Sequence, residues 1–187
     1  MTTHYVDNSK LFEEIKIYRI GVLEFKAGTR KVKPKIPEYI GTCILLIANR
    51  LSHKPNFINY SYREEMISDG IENCISYIDN FDPEKSDNPF AYFTQIIYYA
   101  FLRRIAKERK QLYIKHKTLE NNMLMNILVE QHGSDENEFQ LDLQDMDFEN
   151  MNEFIRSFEQ NIDKRKTKRQ KGLDQFLEDD NEDSNTG

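Results

Sequence analysis

Three segments of this chain repeat apolar residues at intervals of three and four, with proline-bearing breaks between them. In the first, Ile40, Cys43, Ile44, Ile47 and Leu51 recur at helical spacing, which predicts a helix over 38–51. Pro55 ends the approach to the second segment. There Ile67, Ile71, Cys74 and Ile78 predict a buried stripe on a helix over 62–80. The turn-rich stretch FDPEKSDNP follows. Asp82-Pro83 and Asn88-Pro89 favour chain reversal, because a residue before proline is pushed out of the helical region. A third helix is predicted from Pro89, which a first turn tolerates, to Gln111. Phe90, Ile97, Phe101 and Ile105 share one side of it, and Tyr92, Gln95, Tyr99, Arg103 and Lys110 share the opposite side. The expected fold is all-α, a compact bundle of three to four helices.

The flanks are weaker in pattern. Residues 1–37 read as a flexible N-terminal arm with one weak helix, Ser9 to Phe25, capped by Ser9, and a basic linker, KAGTRKVKPKIP. The bundle is expected over 38–117. Residues 118–170 read as an acidic, weakly structured segment. Within it Leu119 to Val129 suits a short helix, His132 to Gln144 suits a flexible stretch, and 150–169 suits a helix with Phe154, Phe158 and Ile162 on one side. That stripe is too thin to predict a second domain. Residues 171–187 read as an acidic C-terminal tail carrying the apolar cluster Leu173, Phe176 and Leu177. An apolar cluster without a core to receive it often inserts into a groove on a partner.

No apolar run approaches the roughly 20 residues needed to span a bilayer, and MTTHYVDNSK has no apolar stretch of the kind a secretory signal needs. Neither membrane association nor a cleaved leader is expected. Cys43 and Cys74 sit in apolar helical patterns and are expected as reduced core residues of a cytosolic protein. His4, His53, His116 and His132 show no metal-ligand spacing, and there is no Gly-rich phosphate loop or nucleophile motif. Glu64, Glu65, Asp69 and Glu72 would need Glu-x-x-His elements on other helices to hold a helical di-metal site, and none is present. No cofactor and no catalytic residue are expected.

The net charge of −6 argues at first against nucleic acid, but the charges lie in blocks. Between Ile97 and Lys117 stand Arg103, Arg104, Lys107, Arg109, Lys110, Lys115 and Lys117 with one acid, Glu108. From Thr118 to Met151 there are nine acids and no Lys or Arg. Blocks of opposite sign often mark different partners for different segments. The outward stripe of the third helix interleaves rings with cations. Rings stack on unpaired bases, worth about 1–3 kcal/mol each, and Lys and Arg neutralise phosphates. The same spacing also allows Tyr92, Tyr98 and Tyr99 to pack on neighbouring helices. The acidic side of the second helix, with Glu65, Asp69, Glu72 and Ser76, suits either a solvated face or a dock for a basic protein surface.

Residues 65–109, EMISDGIENCISYIDNFDPEKSDNPFAYFTQIIYYAFLRRIAKER, resemble region two of bacterial sigma factors. The acidic helix ending in Asp79-Asn80-Phe81-Asp82 carries the likeness, with the Phe90-Ala91-Tyr92-Phe93-Thr94 entry and the helix bearing Ala100, Arg103, Ile105 and Ala106. More narrowly, the DGIE, NFD, NPFAYFTQ and RRIAKERK elements are similar to the late-transcription sigma factors of T-even-like bacteriophages. The likeness spans roughly residues 38–117.

That resemblance implies a promoter-recognition subunit acting in the cytoplasm of an infected bacterial cell. It implies that Glu65, Ser68, Asp69 and Glu72 bind the clamp helices of the largest subunit of host core RNA polymerase. It implies that Tyr92, Thr94, Gln95 and Ile96 meet the non-template strand of an A·T-rich minus-ten element in promoter DNA. Tyr98, Tyr99, Arg103 and Arg104 then continue along the bubble, and Lys107, Arg109 and Lys110 hold phosphates. Leu173, Phe176 and Leu177 resemble the family's terminal motif for the DNA sliding clamp, with Gln175 interrupting the apolar order.

Two departures matter. Housekeeping sigma factors carry two tryptophans where this chain has Gln95 and Ile96, and it has no tryptophan at all. Tyr92, Phe93 or Tyr98 is left to supply the wedge ring. No helix-turn-helix reader of an upstream element is recognisable after Lys117, so tethering to a sliding clamp would substitute for upstream contacts. An adaptor that binds polymerase without touching DNA, and a small metal-dependent nuclease, are the rival expectations.

Overall fold

A computed structural model describes the backbone of residues 5–131 and 148–182, with side chains described for 5–124 and 148–168. Among the described residues the chain is all-helical, with five α-helices and no strand. They are α1 (Asn8–Lys26), α2 (Glu38–Ser52), α3 (Arg63–Tyr77), α4 (Pro89–Gln131) and α5 (Phe148–Glu182), with a 3₁₀ turn, Ile78–Asn80, closing α3. None is long and apolar enough to cross a membrane. The chain divides into two compact units, 1–108 and 109–187.

The first unit is built on one apolar core. α2 follows the expected stripe, burying Ile40, Cys43, Ile44, Ile47, Ala48 and Leu51. α1 departs from the expected mobile arm. Its Leu11, Ile15, Tyr18 and Val22 recur at helical spacing and are buried in the same core. Its cap is Asp7 rather than Ser9. The Asp7 carboxylate accepts the backbone N–H groups of Ser9 and Lys10 at 3.0 and 3.1 Å.

Of the expected stripe on α3, Cys74 and Ile78 in the following turn are buried, while Ile67 and Ile71 are half-buried and Met66 and Gly70, one position before each, are buried instead. Gly70 explains the offset. A Cβ there would meet Ile97 Cγ2 at 3.0 Å and Phe101 Cε1 at 3.2 Å, so α4 packs where α3 has no side chain. Cys43 and Cys74 are free and buried, and burial pushes the Cys74 thiol up to about 12.

α4 begins as expected at Pro89. Asn88 accepts the Ala91 N–H on its side chain at 3.0 Å, and Asn8 of α1 accepts the Phe90 N–H at 3.1 Å. Its buried side is Phe93, Ile97, Ala100 and Phe101, while Phe90 and Ile105 are only half-buried. The helix runs on to Gln131 rather than stopping near Gln111, because no glycine or proline interrupts residues 90–132.

The second unit pairs helical segments through side chains that are mostly half-exposed. Tyr113 stacks on Phe158 with ring centroids 4.5 Å apart, and its hydroxyl donates to Glu159 at 2.9 Å. Met151 and Ile155 are buried, whereas the expected row Phe154, Phe158 and Ile162 is half-buried. α5 continues through the segment read as a tail, to Glu182. Leu173, Phe176 and Leu177 fall on that helical backbone, and their side chains lie outside the described residues. So does the stretch 132–147.

Candidate nucleic-acid and protein interface

Helical periodicity divides α4 in the first unit into a buried side and a displayed side. Gln95, Tyr99, Arg103 and Lys107, each four residues from the next, are all exposed. Tyr98 and Leu102 flank that row and are also exposed. The Tyr98 ring stands edge-on to Phe57 at 5.6 Å and to Tyr99 at 5.8 Å, while the residue stays exposed. Half of the Tyr99 surface is open, at 50% exposure. Arg103 donates to the Asn73 side-chain oxygen at 2.8 Å, a neutral partner that leaves its charge available.

Other residues of the expected DNA face are engaged within the fold. The Tyr92 hydroxyl donates to the Tyr77 carbonyl at 2.8 Å, and its ring packs on Phe81 and Phe93. Burial raises the pKa of that hydroxyl. The Thr94 hydroxyl donates to the Phe90 carbonyl at 2.7 Å, and Ile96 packs against the core. Phe93, one of three candidates for the wedge ring, is fully buried and belongs to the core.

Arg104 is the most fully engaged of the expected DNA-face residues. Its guanidinium forms a two-pronged bond to both oxygens of Asp69, each at 2.7 Å, and reaches Glu108 at 3.2 Å. The Asp69 carboxylate, and then Glu108, raise the Arg104 pKa further above its ordinary value. The expected DNA cation and the expected polymerase-docking acid therefore hold each other, one helix to the next. A bidentate pair of this kind is matched in geometry as well as charge. Arg109 and Lys110 belong to the second unit, where both are exposed.

On α3, Glu65, Ser68 and Glu72 are exposed and make no ion pair or side-chain hydrogen bond among the described residues. A shallow apolar groove runs beside them between α2 and α3, lined by Gly41, Leu45, Ile71 and Ile75 among others. Leu45 and Ile75 are about half exposed. Sequence reasoning missed this groove because it assigned apolar residues to the core. The signal was present, since Leu45 and Ile75 fall off the buried stripes of their helices.

Electrostatically the two displays differ. The α3 face offers carboxylates beside an apolar groove, which suits a basic protein surface with apolar contacts. The α4 row offers an amide, rings and cations, which suits unpaired bases and phosphates. No group of three or more His, Cys, Asp or Glu suited to a metal ion occurs among the described residues. No known protein family matches the chain, and no curated protein is significantly similar to it.

Proposed function

We propose that the chain is a sigma-type initiation subunit of RNA polymerase for phage late genes, which captures and helps melt an A·T-rich minus-ten element. The observation that carries this reading is the exposed row Gln95, Tyr99, Arg103 and Lys107, flanked by Tyr98, on a helix anchored by Phe93, Ile97 and Phe101. The resemblance of residues 65–109 to sigma region two supports it. In this reading the Tyr99 ring, with Tyr98 beside it, stacks on bases of the opened non-template strand. Gln95 reads a base edge, and Arg103 and Lys107 neutralise phosphates. Glu65, Ser68 and Glu72, with the Leu45–Ile75 groove, dock on the clamp helices of host core polymerase. Arg109 and Lys110 hold further phosphates, and Leu173, Phe176 and Leu177 bind the DNA sliding clamp. The polymerase performs the covalent chemistry.

Open-complex formation with purified core polymerase, on a template carrying only a minus-ten element, tests the reading. Tyr99 is a cleaner probe than Tyr92, whose hydroxyl and ring both support the fold. Tyr99→Ala should lower open-complex formation by about 5- to 150-fold, as expected for a lost base stack of about 1–3 kcal/mol. Arg103→Ala should weaken it and shallow its salt dependence. Binding to core polymerase should be unchanged in both.

A second reading is an adaptor that docks on polymerase and leaves DNA to other subunits. The pairing of Arg104 with Asp69 favours it, because that cation is neutralised within the fold. Normal promoter opening by both variants would decide for the adaptor.

A further inference from the structure

Residues 26–35 hold five cations, Lys26, Arg30, Lys31, Lys33 and Lys35, and no acid. The sequence alone suggests a mobile linker, yet this loop is tied down at both ends of its path. It turns at Gly28, whose φ of 77° lies in the left-handed region. The N–H groups of Thr29 and Arg30 then return to the Glu24 carbonyl at 3.0 and 3.1 Å. The returning chain lies over α1 at Gly21, where a Cβ would come within 2.9 Å of Arg30 Nη1 and 3.3 Å of Pro34 Cγ.

Further along, Lys33 pairs with Asp79 at 2.7 Å. The other Asp79 oxygen accepts the Tyr18 hydroxyl at 2.9 Å, and Arg19 donates to the Asp79 carbonyl. Burial works to raise the Asp79 pKa. The bonds from Lys33 and Tyr18, with the charges of Lys33 and Lys26, outweigh it and hold the carboxyl below its ordinary value. Asp79 thus stays ionised at neutral pH and keeps the loop latched. Lys33 is the one of the five with an ion-pair partner among the described residues. Lys26, Arg30, Lys31 and Lys35 are exposed and make none.

The latch also fixes where this charge sits. Asp79 lies two residues beyond Tyr77, whose carbonyl receives the Tyr92 hydroxyl at the start of α4. The Lys33 end of the loop is thereby held at Asp79, two residues along the chain from the Tyr77 carbonyl on which Tyr92 of α4 closes. A loop already ordered by the fold binds a polyanion without a large ordering cost. Four unpaired cations on it suit a chain of phosphates, whose condensed counterions they would release.

We propose that the loop 26–35 is a phosphate-binding surface for single-stranded DNA, extending the α4 row past Tyr92 through Lys26, Arg30, Lys31 and Lys35. The proposal rests on the reading of α4 as a base-capturing helix, and it assigns the path of the strand at one end of that helix. The rival occupant is an anionic membrane surface, to which Val32, 72% exposed between Lys31 and Lys33, would add an apolar tip. The latch of Lys33 to Asp79, two residues from the Tyr77 carbonyl that Tyr92 meets, favours DNA.

The test is fluorescence anisotropy of a labelled oligothymidylate with the full-length chain, titrated across a range of salt. The four substitutions Lys26→Gln, Arg30→Gln, Lys31→Gln and Lys35→Gln are combined in one variant, leaving the latch residue Lys33 in place. Affinity at low salt should fall by about tenfold or more, and the slope of log K against log salt should become shallower by about 3, at about 0.7 per lost phosphate contact. The pair Lys31→Gln and Lys35→Gln, which leaves Arg30 over Gly21 undisturbed, should shallow the slope by about half as much. Should the fourfold variant fail to fold, the pair decides the matter.

Unchanged affinity and slope in a folded variant would overturn the proposal. So would failure of the unaltered chain to bind the oligonucleotide at low salt. A loss seen only with vesicles of phosphatidylcholine and phosphatidylserine would overturn it in favour of a membrane. The two readings fail separately. Normal DNA binding by the loop variants, with lost promoter opening by Tyr99→Ala, removes the loop and leaves the sigma reading standing. Weakened DNA binding by the loop variants, with normal opening by Tyr99→Ala and Arg103→Ala, keeps the loop and removes the base-capture role of α4.

Discussion

Residues 1–108 carry fifteen Lys and Arg against fourteen Asp and Glu, whereas residues 109–187 carry eleven against eighteen. The contrast in charge goes with a contrast in packing. The first unit buries Phe81, Phe93, Phe101 and a set of aliphatic side chains from all four of its helices in one cluster. In the second unit the buried apolar side chains among the described residues are Met151 and Ile155. Its other contacts among the described residues include a ring stack, a hydroxyl–carboxylate bond and ion pairs of Lys117 with Glu120 and Glu159. The difference teaches where each unit's surface gets its order. In the first, a packed core holds Tyr99 and Arg103 in place. In the second, the surface contacts are themselves much of what holds the helices.

The largest expected effect tests that core. Phe101 is fully buried and meets both Phe57 and Gly70. Phe101→Ala should cost about 3–5 kcal/mol, read as a lowered denaturant midpoint of the first unit. A loss below about 1 kcal/mol would mean that the core collapses around the gap, against the packing argument made for α3 and α4.

Asp69→Ala comes next. It removes both prongs from half-buried Arg104 and should cost about 1.5–3 kcal/mol. In a double-mutant cycle with Arg104→Ala, most of that cost should appear as coupling. Full stability in Asp69→Ala with weakened polymerase binding would instead return Asp69 to the docking face.

The smallest effect belongs to the second unit. Phe158→Ala removes the stack on Tyr113, worth about 0.5–1.5 kcal/mol beyond burial. Hydrogen-exchange protection should fall in residues 109–124 and 148–168 and stay unchanged in α1 to α3. Equal loss across both units would show that they open together and would dissolve the comparison.

The sequence made the helices legible unevenly. α2 could be read residue by residue because its apolar positions are uninterrupted. On α3 the periodicity finds Cys74 and Ile78 but misses Met66 and Gly70, because a glycine scores as a gap in an apolar stripe while in the fold it admits Ile97 and Phe101. α1 is legible as a helix over Ser9 to Phe25, but its place in the core is not, although Leu11, Ile15, Tyr18 and Val22 keep helical spacing. The full length of α4 was hidden because amphipathic pattern fades after Gln111, yet a helix stops at breakers and none occurs before Gly133. At the candidate site, periodicity alone placed Gln95, Tyr99 and Arg103 on one side of a helix. It had no means of seeing that Arg104 answers Asp69, 35 residues away, or that Tyr92 closes on the Tyr77 carbonyl. Such pairings depend on which elements become neighbours, and no local pattern encodes that.

The bare Cα at position 70 has a further consequence. The acid that grips Arg104 is the very next residue, so the spacing that lets Ile97 and Phe101 nestle against α3 also sets the span across which the carboxylate and guanidinium meet. A single methyl group at 70 would oblige Ile97 or Phe101 to give way by a few tenths of an ångström. The contact of the core and the ion pair at its edge are thus set side by side, on adjacent residues of one helix.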